Sequence, residues 1–233
     1  IVGKTISETS AYYLYVFFTL SGVFMGYYLS NVIMRPKFFV LFVLVASLLY
    51  FYATTLKQIA VIGNITVAFL LAFSVLIIGF FDIFPATDFA NKKIMSDMFA
   101  IIMHYAIFAF ILNFIREIIK DLEDIKGDYS QGMRTLPIIF GENNTAKLSS
   151  ILCNIPIVLV LFYINNNLMF NQLYFATLYC LFLVVAPLIY CAIKMWKANS
   201  TKEYHHVSII FKWIIFFGII SIVIINQNII QNV

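Results

Sequence analysis

MFAIIMHYAIFAFILNFIREIIKDLEDIKGDYSQGMRTLP, Met98 to Pro137, is the stretch on which the reading of this chain turns. Its first part, to Ile119, stays apolar for long enough to cross the roughly 30 Å of hydrocarbon in a bilayer. Its second part is abruptly acidic. Five of the eleven carboxylates in the 233-residue chain fall between Glu117 and Asp128. In a helix, Asp121, Asp124 and Asp128 recur at i, i+3 and i+7, a register that aims three oxygen donors at one point. Like charges held so close repel, more strongly as water is excluded. Cations are therefore expected to offset them, and a hard divalent ion such as Mg²⁺ is the natural candidate, with an anionic ligand to share it.

Working outward, 63% of residues are hydrophobic and only 11% charged, too few charges to cover the surface of a soluble domain of this length. The chain is expected to be an integral membrane protein. A window of about 20 residues finds seven spans. They run Tyr12 to Leu29, Phe38 to Thr55, Val61 to Phe84, Met98 to Ile119, Leu148 to Ile164, Leu173 to Ile193 and Val207 to Asn226. Short polar connectors separate them, among them MRPK at Met34 to Lys37 and INNN at Ile164 to Asn167. No internal repeat or soluble domain is visible. Lipid admits helices or closed barrels, and these runs are too long for barrel strands, so the expected fold is an all-α transmembrane bundle. We expect one domain over residues 1–233, built around a central cavity.

Alternating connectors place Lys4, Lys57, Arg116, Lys120, Lys126, Arg134, Lys147, Lys194, Lys197 and Lys202 on one side. Arg35, Lys37, Lys92 and Lys93 fall on the other, and Lys212 lies within a span. That asymmetry makes the first side, with the carboxylate cluster, cytoplasmic. Cys153, Cys180 and Cys191 lie in apolar runs without CxxC spacing and are read as small buried hydrophobes, giving neither disulfides nor a zinc site. The net charge of +4 comes without a basic block interleaved with aromatics, so nucleic acid is excluded as a partner, and no obligate protein partner is legible.

DLEDIKGDYSQGMRTLP, Asp121 to Pro137, resembles the second aspartate-rich motif of the UbiA-type intramembrane prenyltransferases, DxEDxxGDxxxGxxTLP, at every fixed position. REIIKD at Arg116 to Asp121 is similar to the basic lead-in of that family, and LKQIAVIGN at Leu56 to Asn64 to its LK…GN segment. With the spacing of the spans, the resemblance covers essentially the whole chain. The family's first motif, NDxxDxxxD, is not found in these residues, and IVGKTIS at Ile1 to Ser7 is similar to the tail of the loop that carries it. From this we expect two further spans and the first motif upstream of Ile1, seven spans of nine being present, and we expect the 233-residue chain alone to be inactive.

The resemblance implies a Mg²⁺-dependent transferase that binds an allylic polyprenyl diphosphate through aspartate-held metal, ionises its carbon–oxygen bond and lets a hydrophobic acceptor capture the allylic cation. It assigns Asp124 and Asp128 as principal metal ligands and Asp121 as a further ligand or supporting base. Lys57, Arg116, Lys120 and Arg134 are then candidates to hold diphosphate or an acceptor phosphate, with Lys4 a weaker one, and Asn64 and Asn113 candidates to line the substrate cavity. Alternatively, some of these cations merely set topology, and Glu117 pairs with Lys120 or Asp121 with Arg116 in a juxtamembrane salt-bridge patch. Gly127 and Gly132 fit a helix that ends and a loop folding close over an anion.

REIIKDLEDIKGD and VGKTIS are most similar to the branch that moves geranylgeranyl onto geranylgeranylglyceryl phosphate, a step of membrane lipid biosynthesis in archaea and some bacteria. Relatives that prenylate 4-hydroxybenzoate, dihydroxynaphthoate and other aromatic acceptors carry comparable motifs, and a non-catalytic isoprenoid-binding or transport protein is a third alternative. A cation channel is disfavoured because these carboxylates sit at a helix end and not inside the spans. His104 is read as an interhelical histidine or an acceptor contact, His205 and His206 as solvated, and Lys212 as snorkelling or facing the cavity. The phenylalanines and tyrosines are read as lipid-facing and packing residues.

Overall fold

The computed structural model describes residues 6–232, with side chains as far as 230, so Lys4 and most of the Ile1 to Ser7 segment lie outside the described residues. Among the described residues, seven helices are long and apolar enough to cross a membrane. They are α1 (Glu8–Val32), α2 (Pro36–Thr54), α3 (Ile62–Ala86), α4 (Lys92–Glu123), α7 (Glu142–Met169), α8 (Tyr174–Lys197) and α9 (Thr201–Asn232), with the short helices α5 (Ile125–Ser130) and α6 (Leu136–Phe140) between α4 and α7. Each expected span lies on one of these seven, within a few residues at its ends. The protein is an all-α, polytopic integral membrane protein, and among the described residues no β-strand forms.

Local chemistry explains the ends and the breaks. Ser7 caps α1, its hydroxyl accepting from Ser10 N at 3.1 Å. At the start of α9, Ser200 Oγ donates to Glu203 Oε2 at 3.1 Å while Glu203 N donates to Ser200 O at 2.9 Å. Proline accounts for three of the irregular turns inside the spans. A wide π-turn at Gly79–Ile83 precedes Pro85, and another at Leu181–Val185 precedes Pro187. A break at Cys153 precedes Pro156. A proline ring clashes with the carbonyl four residues back, and widening that turn removes the clash without ending the helix.

The chain divides into two compact units, one from the N-terminal residues through Leu56 with Phe73–Ala106, the other from Lys57–Ala72 with Ile107–Val233. In the first, α1 packs on α2, and a Cβ at Gly26 would strike the Phe42 ring, so only glycine permits that approach. Phe38 sits against Phe80, Phe81 and Phe84 with ring centroids 5.7 to 6.3 Å apart. No residue of the span of α2 is buried within the protein, as expected of a surface that faces lipid.

The second unit holds the main core. Leu112, Ile115, Ile119 and Leu122 of α4 join Leu188, Cys191 and Met195 of α8 and Tyr204, Val207, Phe211 and Ile214 of α9. Thr145, Ala146, Ser149 and Ser150 are buried on the first part of α7, which packs against the last part of α8. Small residues let backbones approach, and Ser150 Oγ donates to Ala192 O at 2.6 Å across that contact. All three cysteines are free and buried, as the sequence indicates.

Candidate functional site

Apart from Lys4, which lies outside the described residues, the candidate metal- and phosphate-binding residues fall in the second unit. α4 carries Asn113, Arg116, Glu117, Lys120 and Asp121 in its last turns and ends at Glu123. Asp124 stands outside both helices at φ −96°, ψ 6°, the cap position from which α5 restarts. Asp favours such positions because its short side chain competes with the helical backbone. The continuous i, i+3, i+7 register expected for the aspartates is therefore broken at its middle member. α5 closes at Gly132, whose φ of +68° only glycine adopts without strain, while Gly127 lies within α5 as an ordinary helical residue. Thr135 then caps α6, with Pro137 in its first turn, which accounts for the order TLP.

Two further segments reach this loop. Asn64, buried in the first turn of α3, donates from Nδ2 to Asp121 Oδ2 at 2.8 Å. The connector before α3 lies alongside residues 131–135: Arg134 N donates to Gln58 O at 3.0 Å, and Ile59 bridges to Arg134 in parallel sense. Between these contacts Val61 has φ +68°, and Ile62 N bonds to Ala60 O at 2.8 Å, a γ-turn of the rare positive-φ kind. A β-branched residue there is strained, and the pairing on either side holds it.

The charges sort into pairs and exposed groups. Glu117 is buried and takes Arg116 at 3.3 Å and Lys120 at 3.3 Å, the salt-bridge reading weighed from the sequence; the pairing considered between Asp121 and Arg116 is replaced by Asn64. Arg116 Nε is buried without a hydrogen bond. Asn113 is buried and donates to Ala109 O at 2.8 Å, so its amide is engaged on its own helix. Lys57, Arg134 and Asp124 are exposed. Burial pushes the Asp128 carboxyl above the ordinary carboxylate range, Asp124 adds to this, and Lys57 and the Thr135 hydroxyl pull it back. Thr135 Oγ1 nevertheless makes no hydrogen bond of good geometry, so its influence on Asp128 is that of a nearby dipole.

Among the described residues, no three His, Cys, Asp or Glu side chains form a group able to hold a metal ion. Among the described residues an all-protein cage is thus not built, and one oxygen of Asp121 is already engaged by Asn64. Mg²⁺ does not require such a cage, since it commonly takes one or two carboxylates and completes its shell with water and phosphate oxygens. Asp124 and Asp128, close enough for one to raise the other's pKa, fit that smaller requirement.

The contacts of three residues left no sign in the sequence. His205 and His206 are exposed, as expected, but each also has a partner: His205 Nδ1 lies 2.7 Å from Glu123 Oε1, and His206 Nε2 lies 3.2 Å from the Tyr190 hydroxyl. Gln58 had no signal beyond its place in the LKQIAVIGN segment. Contacts spanning 57 and 82 residues, as for Asn64 with Asp121 and His205 with Glu123, have no periodic trace in a sequence. His104 and Lys212 are exposed on their helices.

The aspartate-rich loop, the basic side chains around Glu117 and the buried Asn64 amide thus come together at the end of α4. The chain belongs to the UbiA prenyltransferase family, whose model matches residues 1–224. It is similar to three proteins named digeranylgeranylglyceryl phosphate synthase. That of Methanobrevibacter smithii is 27% identical over 92% of this chain and 72% of its own length. That of Methanosphaera stadtmanae is 29% identical over 88% and 66%. That of Pyrococcus abyssi is 38% identical over 45% and 33%. No solved structure matches.

Proposed function

We propose that this protein transfers a geranylgeranyl group from its diphosphate to geranylgeranylglyceryl phosphate, with Mg²⁺, in the synthesis of membrane lipid. What supports the reading is the family membership combined with the intact Asp121 to Pro137 motif, and the archaeal synthases to which the chain is similar. Bound Mg²⁺ would neutralise charge on the departing diphosphate. Asp124 and Asp128 would hold it, with Asp121 orienting the loop or adding an oxygen. Asn64 restrains Asp121, which keeps that carboxylate from turning toward solvent.

The cations would divide the anionic load. Lys57, which already moderates Asp128, and the exposed Arg134 would take diphosphate oxygens. Arg116 and Lys120 are tied to Glu117, so they would offer phosphate the donors that this pairing leaves over, including the unbonded Arg116 Nε. Asn113 would line the cavity on the membrane side of these groups. The loop would face the cytoplasm, where the basic residues of the connectors collect.

The test uses the complete gene product carrying these residues, reconstituted in liposomes with radiolabelled geranylgeranyl diphosphate and a choice of acceptors. Labelled digeranylgeranylglyceryl phosphate, formed only with a divalent metal, is the expected product. Transfer to 4-hydroxybenzoate or dihydroxynaphthoate but not to the glyceryl phosphate would overturn the acceptor, and metal-independent transfer would overturn the role of the aspartates.

A further inference from the structure

The aspartate loop is held by side chains or backbone from three places, and two of these are Asn64 in the first turn of α3 and the connector before it at Gln58 and Ile59. The third comes from the far end of the chain. His205, on the first turns of α9, meets Glu123, the last residue of α4, with Nδ1 2.7 Å from Oε1. Glu123 immediately precedes the break at Asp124, so whatever fixes Glu123 fixes where α4 stops and in which direction Asp124 leaves it.

We propose that His205 is a positioning residue, latching α9 to the end of α4 and thereby setting the placement of Asp124 and Asp128. Its role in metal and donor binding rests on the function proposed above; its role as a latch does not. The start of α9 is itself firmly placed, which a latch requires. Glu203 accepts from Lys194 at 2.6 Å, from Asn199 N at 3.1 Å and from Ser200 Oγ at 3.1 Å, and Tyr204 and Val207 on either side of His205 are fully buried. By contrast, Glu123 is the end of a helix whose next residue has left helical geometry, the place where a helix frays unless it is tied. A hydrogen-bonded pair as exposed as this one, with the His205 side chain 58% accessible, adds little to global stability. Its effect is therefore expected in the local order of residues 121–134 and not in the melting temperature.

The experiment measures hydrogen exchange over residues 121–134 and Mg²⁺-dependent binding of geranylgeranyl diphosphate for the wild type, His205→Ala, His205→Asn, Glu123→Ala and the double variant, with His206→Ala as the neighbouring control. Asn places an amide nitrogen close to where Nδ1 stands, so it keeps the donor. His205→Ala is expected to speed exchange in that segment and to raise the half-saturating Mg²⁺ by about tenfold, the low end of what losing a residue that orients metal-binding side chains costs. His205→Asn should restore most of both, Glu123→Ala should match His205→Ala, and the double variant should be no worse than either single. Exchange in His205→Ala equal to that in His206→Ala, failure of Asn to restore it, or additive effects in the double variant would overturn the latch. Faster exchange in His205→Ala in a protein that binds no prenyl diphosphate would support the latch and sink the proposed function instead.

Discussion

Asp128 is the carboxyl on which the environment acts most legibly. Its pKa is raised by burial and by Asp124, so between the ordinary carboxylate value and its own the folded protein binds more protons than the unfolded chain. Stability of the metal-free protein must then fall as pH rises through that window. Asp128→Asn should lessen the fall and raise the melting temperature of metal-free protein at neutral pH, while abolishing the stabilisation that added Mg²⁺ gives the wild type; thermal melts with and without Mg²⁺ across pH measure both. Asp124→Ala should likewise abolish metal-dependent transfer with little loss of stability, because Asp124 is exposed. Val61 is the opposite case, a residue whose backbone is strained for the sake of its neighbours. Val61→Gly should stabilise the fold by about 1 kcal/mol through relief of its positive φ, read as a shift of the denaturation midpoint.

At the scale of elements, the sequence read well wherever one helix decides its own fate. The spans are stretches of unbroken hydrophobicity, and the prolines at positions 85, 156 and 187 bend or widen helices for local steric reasons. The connection between elements was less legible. The side-chain amide of Asn64 on Asp121 is such a connection, and Asn64→Ala should cost about 1.5–3 kcal/mol, the usual range for losing a hydrogen bond to a charged group. The contact of α7 with α8 is another. Ala146, 1% exposed where the two helices approach closely, should not accept a larger side chain, and Ala146→Leu should destabilise by about 1–3 kcal/mol in a denaturation assay.

For the whole molecule, the distribution of Lys and Arg makes a topological prediction. A single cysteine in place of Lys126 should react with an impermeant thiol reagent only from the cytoplasmic side, and one in place of Lys92 only from the other. Labelling of both from the same side would refute the alternation of spans. The all-α membrane class, the seven spans, the aspartate motif and the buried state of the three cysteines follow from composition and from patterns shorter than one helix, because the cost of placing polar groups in lipid acts on each segment separately. The tertiary structure alone decided that the acidic register breaks at Asp124, that Asp121 is bound by Asn64 and that His205 reaches Glu123. Those depend on which helix ends come within about 3 Å of each other, a distance set by packing between segments and carried by no pattern within any one of them.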